Sequence, residues 1–242
     1  MDHDTYTTEL EALQTRFRLL QRAYAGDSHR AIVVLEGWDA SGKGGLVRRI
    51  AWCLDPRFLR VYPIGAPDAH ERQRHWLHRF WEKVPKTGEI AMFDRSWYGR
   101  VLVERVENYA SEREWQRAYD EINEFELTLT QDGYRIVKLF LDIDADTQLD
   151  RFRARYDTPD KRWKITEDDL RNRARWDDYA AAYADMIDRT SGAAAPWHRI
   201  DANSKKRARL QAFEILLDTL GEGIDIEDPE VSPLVQAFFD DH

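Results

Sequence analysis

The sequence predicts an α/β fold: a parallel five-stranded sheet with helices on both faces, in three layers. Three observations predict it. Short apolar runs alternate with amphipathic stretches along the chain, the pattern of a sheet whose crossovers are helices. The run Ala31-Ile32-Val33-Val34-Leu35 enters a glycine-rich turn that carries Lys43, a strand–loop–helix layout suited to cradling phosphate. A second apolar strand ends in the carboxylate of Asp94.

Taken in order, Leu10, Leu13, Phe17, Leu20 and Tyr24 recur three or four apart and predict a helix over 5–24. Buried strands are predicted at 30–35, 59–64, 89–93, 134–141 and 197–201, with helices at 43–54, 70–83, 112–131, 145–155, 167–190 and 204–220. Thr166 followed by Asp169 is a helix N-cap signal, and Asp142 and Asp144 read as turn and cap residues. The single cysteine, Cys53, lies on an apolar helix and reads as a buried structural thiol. No internal repeat or low-complexity linker divides the chain. Residues 1–221 therefore read as one P-loop domain with a lid around 151–175, followed by an acidic tail at 222–242 that packs loosely or mediates assembly.

With 242 residues, 43% of them hydrophobic, the chain is able to bury a full core as one domain. No apolar stretch approaches the ~20 residues that span a bilayer. The acidic start Met1-Asp2-His3-Asp4 argues against a secretory signal. These features predict a cytoplasmic protein with no membrane partner. The net charge of −9 is unevenly spread: residues 151–175 carry nine Lys or Arg against five acids, and the tail carries seven acids and no Lys or Arg. A basic segment on an acidic body predicts one focused anion site and no general affinity for nucleic acid.

The loop Gly37-Trp38-Asp39-Ala40-Ser41-Gly42-Lys43-Gly44-Gly45 supplies that site. Its glycines let backbone N–H groups converge on an anion, Lys43 adds a point charge, and the next helix presents its positive end. Gly44 stands where a Ser or Thr usually holds Mg²⁺, so the hydroxyl is missing; Asp39, inside the loop, offers a carboxylate instead. Asp94 at its strand end suits the same metal. Asp39 and Asp94 together make a hard-oxygen site for Mg²⁺, with Mn²⁺ as a substitute. Arg95 and Arg100 are placed to neutralise phosphoryl oxygens. The alternatives are an ordinary glycine-rich turn with a solvated lysine, and Asp94 as a helix cap beside a surface Arg95.

The basic segment Arg151-Phe152-Arg153-Ala154-Arg155-Tyr156 continues through Pro159 to Lys161-Arg162-Trp163-Lys164. A cationic helical hairpin there suits a lid that closes over phosphates and excludes water, with Arg155 and Arg162 its best-placed cations. Gly37, Ala40, Ser41, Gly42, Gly44 and Gly45, with Arg162 and Lys164, are the candidate phosphate or nucleotide contacts. Trp38, Trp97 and Trp163 are candidates to border a base. His70, His75 and His78 fall on one predicted helix, but no completing carboxylate or cysteine pattern makes them a zinc site.

Together with Phe93-Asp94-Arg95-Ser96-Trp97-Tyr98-Gly99-Arg100 and Val103-Glu104-Arg105, these motifs resemble the type 2 polyphosphate kinase family across about residues 5–220. The resemblance implies a thymidylate-kinase-like P-loop fold with a helical lid. It implies Mg²⁺-dependent, reversible phosphoryl transfer between inorganic polyphosphate and nucleotides. It also implies metal roles for Asp39 and Asp94, phosphate roles for Lys43, Arg95, Arg100 and Arg155, and an active-site acidic role for Glu104. Ile64-Gly65-Ala66-Pro67 and the stretch from Ser96 to Glu104 resemble the branch acting on nucleoside monophosphates, often two fused copies; this chain carries one. AMP, with ADP, is the expected acceptor, guanine nucleotides are the alternative class, and a homo-oligomer is expected. The rival readings are an ATP-dependent nucleoside monophosphate kinase and a non-catalytic polyanion or nucleotide sensor.

Overall fold

The computed structural model describes residues 2–26, 29–226 and 231–241. Its centre is β1 (Arg30–Gly37), in which Ala31 to Leu35 are all fully buried. A five-residue apolar run with no alternation belongs to a strand covered on both faces. Four further strands complete a parallel sheet around it: β2 (Leu59–Pro63), β3 (Ile90–Asp94), β4 (Tyr134–Asp142) and β5 (Trp197–Asp201), in the order β2-β3-β1-β4-β5, with β3 and β4 its direct neighbours. Register aligns Leu35 with Asp94 on one side and with Leu139 on the other. The glycine loop and Asp94 therefore emerge together at the carboxyl edge, where the chain order switches sides and ligands find a crevice.

Helices cover both faces. One layer holds α1 (His3–Gly26), α2 (Lys43–Cys53) and α9 (Lys205–Gly221). Phe17 and Phe213 meet edge to face with ring centres 5.8 Å apart, and Tyr24 donates to the Leu220 carbonyl. The other layer is built by α5 (Glu112–Gln131) and α8 (Trp176–Thr190). Two short helices, α3 (His78–Trp81) and α4 (Val103–Val106), lead into it, and α6 (Ala145–Asp157) and α7 (Glu167–Ala174) flank the 3₁₀ turn at Pro159–Lys164. Among the described residues no helix is long and apolar enough to cross a membrane.

The predicted three-layer sheet and all five strands are present. The departures have local causes. The predicted helix over 70–83 is a 3₁₀ turn at Glu71–Gln73 and the short α3, because Arg74 is extended (φ −118°, ψ 170°). His70, His75 and His78 thus do not share one helix. Asp68 caps the turn at two backbone N–H groups, and Arg79 pairs with Glu71 at 3.1 Å, so polar contacts shape a segment that buries only Leu77 and Phe80. The predicted helix over 167–190 breaks between α7 and α8 at Arg175, whose guanidinium bonds the Val106 carbonyl and Asp178. The strand over 59–64 is mostly exposed because β2 is a sheet edge, paired on one side only. Trp97 borders no base: it is buried against Phe93, Phe80 and Phe125, with its indole N–H on Glu126 at 3.0 Å. Cys53 is buried, as predicted. In the tail, Pro233–Asp240 forms α10, unpredicted, with none of its residues buried; Pro229 lies outside the described residues.

Candidate active site

The loop between β1 and α2 is built by backbone that side chains tolerate poorly. Gly37 has φ +138°, and a Cβ there would strike the Leu141 carbonyl, so β4 passes too close for any other residue. Ala40 (φ 61°) and Arg95 (φ 64°) hold left-handed conformations without being glycine. Such conformations cost energy and gather at functional sites. At Gly44 a Cβ would meet nothing within 4 Å, so crowding is not what removes the usual hydroxyl residue.

Lys43 is buried and folds back over the loop, donating to the carbonyls of Gly37 (2.6 Å) and Trp38 (2.9 Å). Burial lowers its pKa, against the attraction of Asp39, Asp94 and Glu36. Asp39 takes Arg95 Nη2 on Oδ1 at 3.1 Å and Asn172 Nδ2 on Oδ2 at 2.9 Å. Burial pushes the Asp39 carboxyl upward, but Lys43, Arg95 and Asn172 together hold it below its ordinary value. Asp94 acts electrostatically on both Lys43 and Arg95. The loop thus gathers Asp39, Lys43, Asp94 and Arg95, as the sequence predicts, into one charged group at the edge of β1 and β3.

Glu36 belongs to that group and was not predicted. It is 4% exposed, accepts from Ser96 Oγ at 2.8 Å, and is pushed up to about 7 by burial, which outweighs Ser96, Lys43 and Arg95. Its only signal in the sequence is a carboxylate at the end of an otherwise apolar run. Tyr183 was also missed; its hydroxyl donates to the Gly37 carbonyl at 3.2 Å, and its ring lies 4.9 Å from that of Trp38. Trp38 stacks flat on Trp176 at 3.6 Å and donates to Asp142 at 2.9 Å. One face of its ring is therefore taken by α8. Asp144 caps α6 through the Thr147 N–H, as predicted.

Arg100 and Glu104 form a second group, paired at 3.0 Å. Arg100 lies over the Trp76 ring, and Arg79, which also acts on Glu104, donates to the Gly65 carbonyl at 2.9 Å. Burial raises Glu104 above its ordinary value, opposed by Arg100 and Arg79. The Ile64–Pro67 segment and the Glu104 segment, quoted together from the sequence, meet here through Arg79.

The basic segment folds as predicted at its cap, where Thr166 and Asp169 make a reciprocal capping box. It reaches the loop through Asn172 on Asp39 and through Arg151, which donates to the Ala40 and Ser41 carbonyls at 2.9 Å; just before the segment, the Gln148 amide donates to the Asp39 carbonyl at 3.1 Å while accepting from Arg173. Arg155 and Arg162 instead bond the segment's own backbone, at the Lys164 and Tyr156 carbonyls. Lys164 lies over the exposed Trp163 ring.

A glycine loop closing on a lysine at the switch point of a parallel sheet, faced by two carboxylates and an arginine, marks a P-loop fold. Comparison with known proteins is more specific. The family model for polyphosphate kinase 2 (PPK2) matches residues 1–227, and the chain belongs to that family. It is 50% identical over 220 residues to a polyphosphate:AMP phosphotransferase of Pseudomonas syringae pv. tomato, and 46% identical over 220 residues to one of Pseudomonas aeruginosa. Each match covers 91% of this chain and 44% of the relative, so the chain spans less than half the length of these two proteins. The crystal structure of a polyphosphate kinase 2 from Arthrobacter aurescens TC1 superposes with a TM-score of 0.87 at 36% identity, covering 96% of this chain and 84% of that one.

Proposed function

We propose that the chain transfers phosphoryl groups reversibly between inorganic polyphosphate and adenine nucleotides, with AMP the favoured acceptor and ADP a second one. The observation that carries this reading is the charged group at the loop, Lys43 and Arg95 between Asp39, Asp94 and Glu36, in a chain of this family. The names of the Pseudomonas relatives support AMP. A nucleotide phosphate oxygen is already anionic, so its in-line attack needs no strong general base. Catalysis is then positioning and charge neutralisation. Lys43 and Arg95 serve the transferred group. Arg100 and Glu104, beside Gly65 and Arg79, serve the acceptor side. Residues 1–221 act as one domain, and 151–175 act as its lid, with Arg155, Arg162 and Lys164 turning to phosphate on closure.

Asp39 and Asp94 fit Mg²⁺, and also Mn²⁺, because both are hard oxygen donors and Mg²⁺ commonly takes one or two carboxylates with waters and substrate phosphates completing the set. Among the described residues no cluster of three or more His, Cys, Asp or Glu offers an all-protein metal cage, which suits a cation that arrives with substrate. Asp39 would exchange Arg95 and Asn172 for it. Bound there, the ion would neutralise charge on the phosphoryl oxygens.

A donor-by-acceptor matrix tests the reading: polyphosphate or ATP against AMP, ADP, GMP and GDP, with Mg²⁺. Polyphosphate with AMP or ADP should give the next higher nucleotide with no ATP added. Efficient phosphorylation of AMP by ATP, with no product from polyphosphate of several lengths, would replace it with a monophosphate kinase; binding without turnover from any donor would leave a polyanion sensor. Self-association into a homo-oligomer is part of the reading and is checked by light scattering.

A further inference from the structure

A carboxylate outside the proposed catalytic groups fastens α7 to the end of α4. Glu107 is the C-cap of α4, three residues after Glu104 and so nearly one helical turn on. Its side chain is only 8% exposed, and a glutamate that buried needs partners. Three side chains converge on it. Arg171 of α7 approaches Oε2 at 3.2 Å, and Arg175, at the break between α7 and α8, approaches Oε1 at 3.7 Å. The Tyr179 hydroxyl of α8 lies 3.3 Å from Oε1. Arg175 also donates to the Val106 carbonyl, so the same joint is held through the backbone of α4.

Tyr179 carries this arrangement towards the glycine loop. Its side chain is buried, and its hydroxyl also lies 3.1 Å from Asn172 Oδ1. Asn172 in turn donates Nδ2 to Asp39 Oδ2 at 2.9 Å. An ionised carboxylate accepts and does not donate, so Asp39 takes only the N–H₂ side of that amide. The amide oxygen is left facing Tyr179, whose O–H is the donor it needs. The series Glu107, Tyr179, Asn172, Asp39 thus runs from the acceptor-side segment to the loop with no step longer than 3.3 Å. Because α7 buries none of its residues, apolar packing does not fix where Asn172 stands. Polar contacts do, and the ion pair to Glu107 is made by Arg171, the residue next to it.

We propose that Glu107 is a positioning residue: it clasps α7 and, with Tyr179, turns the Asn172 amide onto Asp39. The role rests on the reading above in which Asp39 takes the metal. Asn172 and the metal then compete for one carboxylate oxygen, and the clasp sets how readily that oxygen is released. Glu107 makes no contact with substrate in this role; it acts through α7. Since it caps the helix that carries Glu104, the acceptor side and the loop are joined across the lid by this one side chain's partners.

The test uses nucleotide-free protein: wild type, Glu107→Gln, Arg171→Met, Asn172→Ala, and Glu107→Gln combined with Asn172→Ala. Glutamine keeps the size of Glu107 and removes its charge. Should that variant fail to fold, Arg171→Met breaks the same clasp from a side chain that is 44% exposed. Two readouts are taken, amide exchange across α7 and calorimetric binding of Mn²⁺ alone. Glu107→Gln should speed exchange in α7 by about tenfold or more while the melting temperature stays within a few degrees. It should also tighten Mn²⁺ binding by roughly threefold to tenfold, as the hold of Asn172 on Asp39 weakens. Arg171→Met should act in the same direction, less strongly. Asn172→Ala removes the competitor outright, so adding Glu107→Gln to it should tighten Mn²⁺ no further, a non-additivity that general loosening does not produce. Unchanged exchange in both clasp variants, Mn²⁺ affinity that moves in Asn172→Ala alone, or effects on Mn²⁺ that add in the double variant each overturn the role. If α7 loosens in both clasp variants while Mn²⁺ affinity moves in no variant, the clasp stands and Asp39 leaves the metal site. Neither readout depends on the phosphoryl donor, so the clasp and the polyphosphate reading fall separately.

Discussion

At the scale of single residues, Lys43 is the side chain on which the proposed transfer would depend most. Its ammonium is held by two carbonyls of its own loop at 2.6 and 2.9 Å, so it would stand preorganised for charge that the proposed transfer redistributes. Lys43→Met should lower kcat by ~10²–10³ or more and cost about 1–3 kcal/mol for the carbonyls left unpaired. Near-normal kcat with a native melting curve would remove the loop from the chemistry. Asp39→Asn and Asp94→Asn should each raise the Mg²⁺ concentration for half-maximal rate; a shift in Asp94→Asn alone would mean that Asp39 does not replace the absent hydroxyl. Glu36 gives a pH signature. Its folded pKa, pushed up to about 7 from 4.5 by burial, means the native state holds the proton more tightly than the unfolded chain. Stability then falls as pH rises from 4.5 to 7, by ~1.4 kcal/mol for each unit separating the two values. In metal-free buffer, Glu36→Gln should melt higher than wild type at pH 8 and close to it at pH 4.5. Melting curves that stay parallel across that range would place the carboxylate elsewhere.

At the scale of elements, the part of the proposed lid beyond α6 is joined to the loop by very few contacts. The turn at Pro159–Lys164 buries nothing, and α7 buries nothing either. The link that joins α7 directly to the loop is Asn172 on Asp39 at 2.9 Å. A hydrogen bond to a charged group contributes about 1.5–3 kcal/mol. Asn172→Ala should therefore speed amide exchange across α7 by roughly 10- to 100-fold while the global melting temperature stays within a few degrees. Exchange unchanged in α7 would show that the segment is held by its own capping box and not by the loop. A matching fall in global stability would make it part of the core.

At the scale of the whole molecule, the α5–α8 helix layer and the sheet are fastened by a buried charge pair. Lys138 of β4 is fully buried, 2.7 Å from Glu126 of α5, and also donates to Tyr98 and to the Thr190 carbonyl at the end of α8. Burial lowers the lysine pKa and raises that of the glutamate, each opposed by its partner. The same carboxylate receives Trp97 and Tyr98, so it sets the turn that follows Asp94 and Arg95. Removing one partner of such a pair leaves an uncompensated buried charge, at about 3–5 kcal/mol, whereas replacing both is far milder. Glu126→Gln should lower denaturant stability by that amount, and Glu126→Gln with Lys138→Met should recover much of it. Additive losses in the double variant would argue against a coupled pair.

Sequence periodicity and motif spacing by themselves determined the strand set, the loop, the Thr166 cap and the placement of Asp39, Lys43, Asp94 and Arg95 at one edge. These follow from local rules: apolar runs must be covered, glycines permit a tight anion cradle, and parallel register brings strand ends together. Only the tertiary structure decided the rest. The predicted helix over 167–190 breaks at Arg175 because its guanidinium finds the Val106 carbonyl, distant in the chain, and the one over 70–83 breaks at the extended Arg74. Trp97 is core because three aromatic rings close on it. Lys138 reads as an odd lysine in an apolar strand until Glu126 arrives from another layer. Asn172 carries no spacing signal, since it acts on a loop reached by a separate stretch of chain, and Glu36, though next to the loop, is marked only by ending an apolar run. Local pattern encodes which surfaces must be buried; which polar groups meet is decided by the packing of those surfaces.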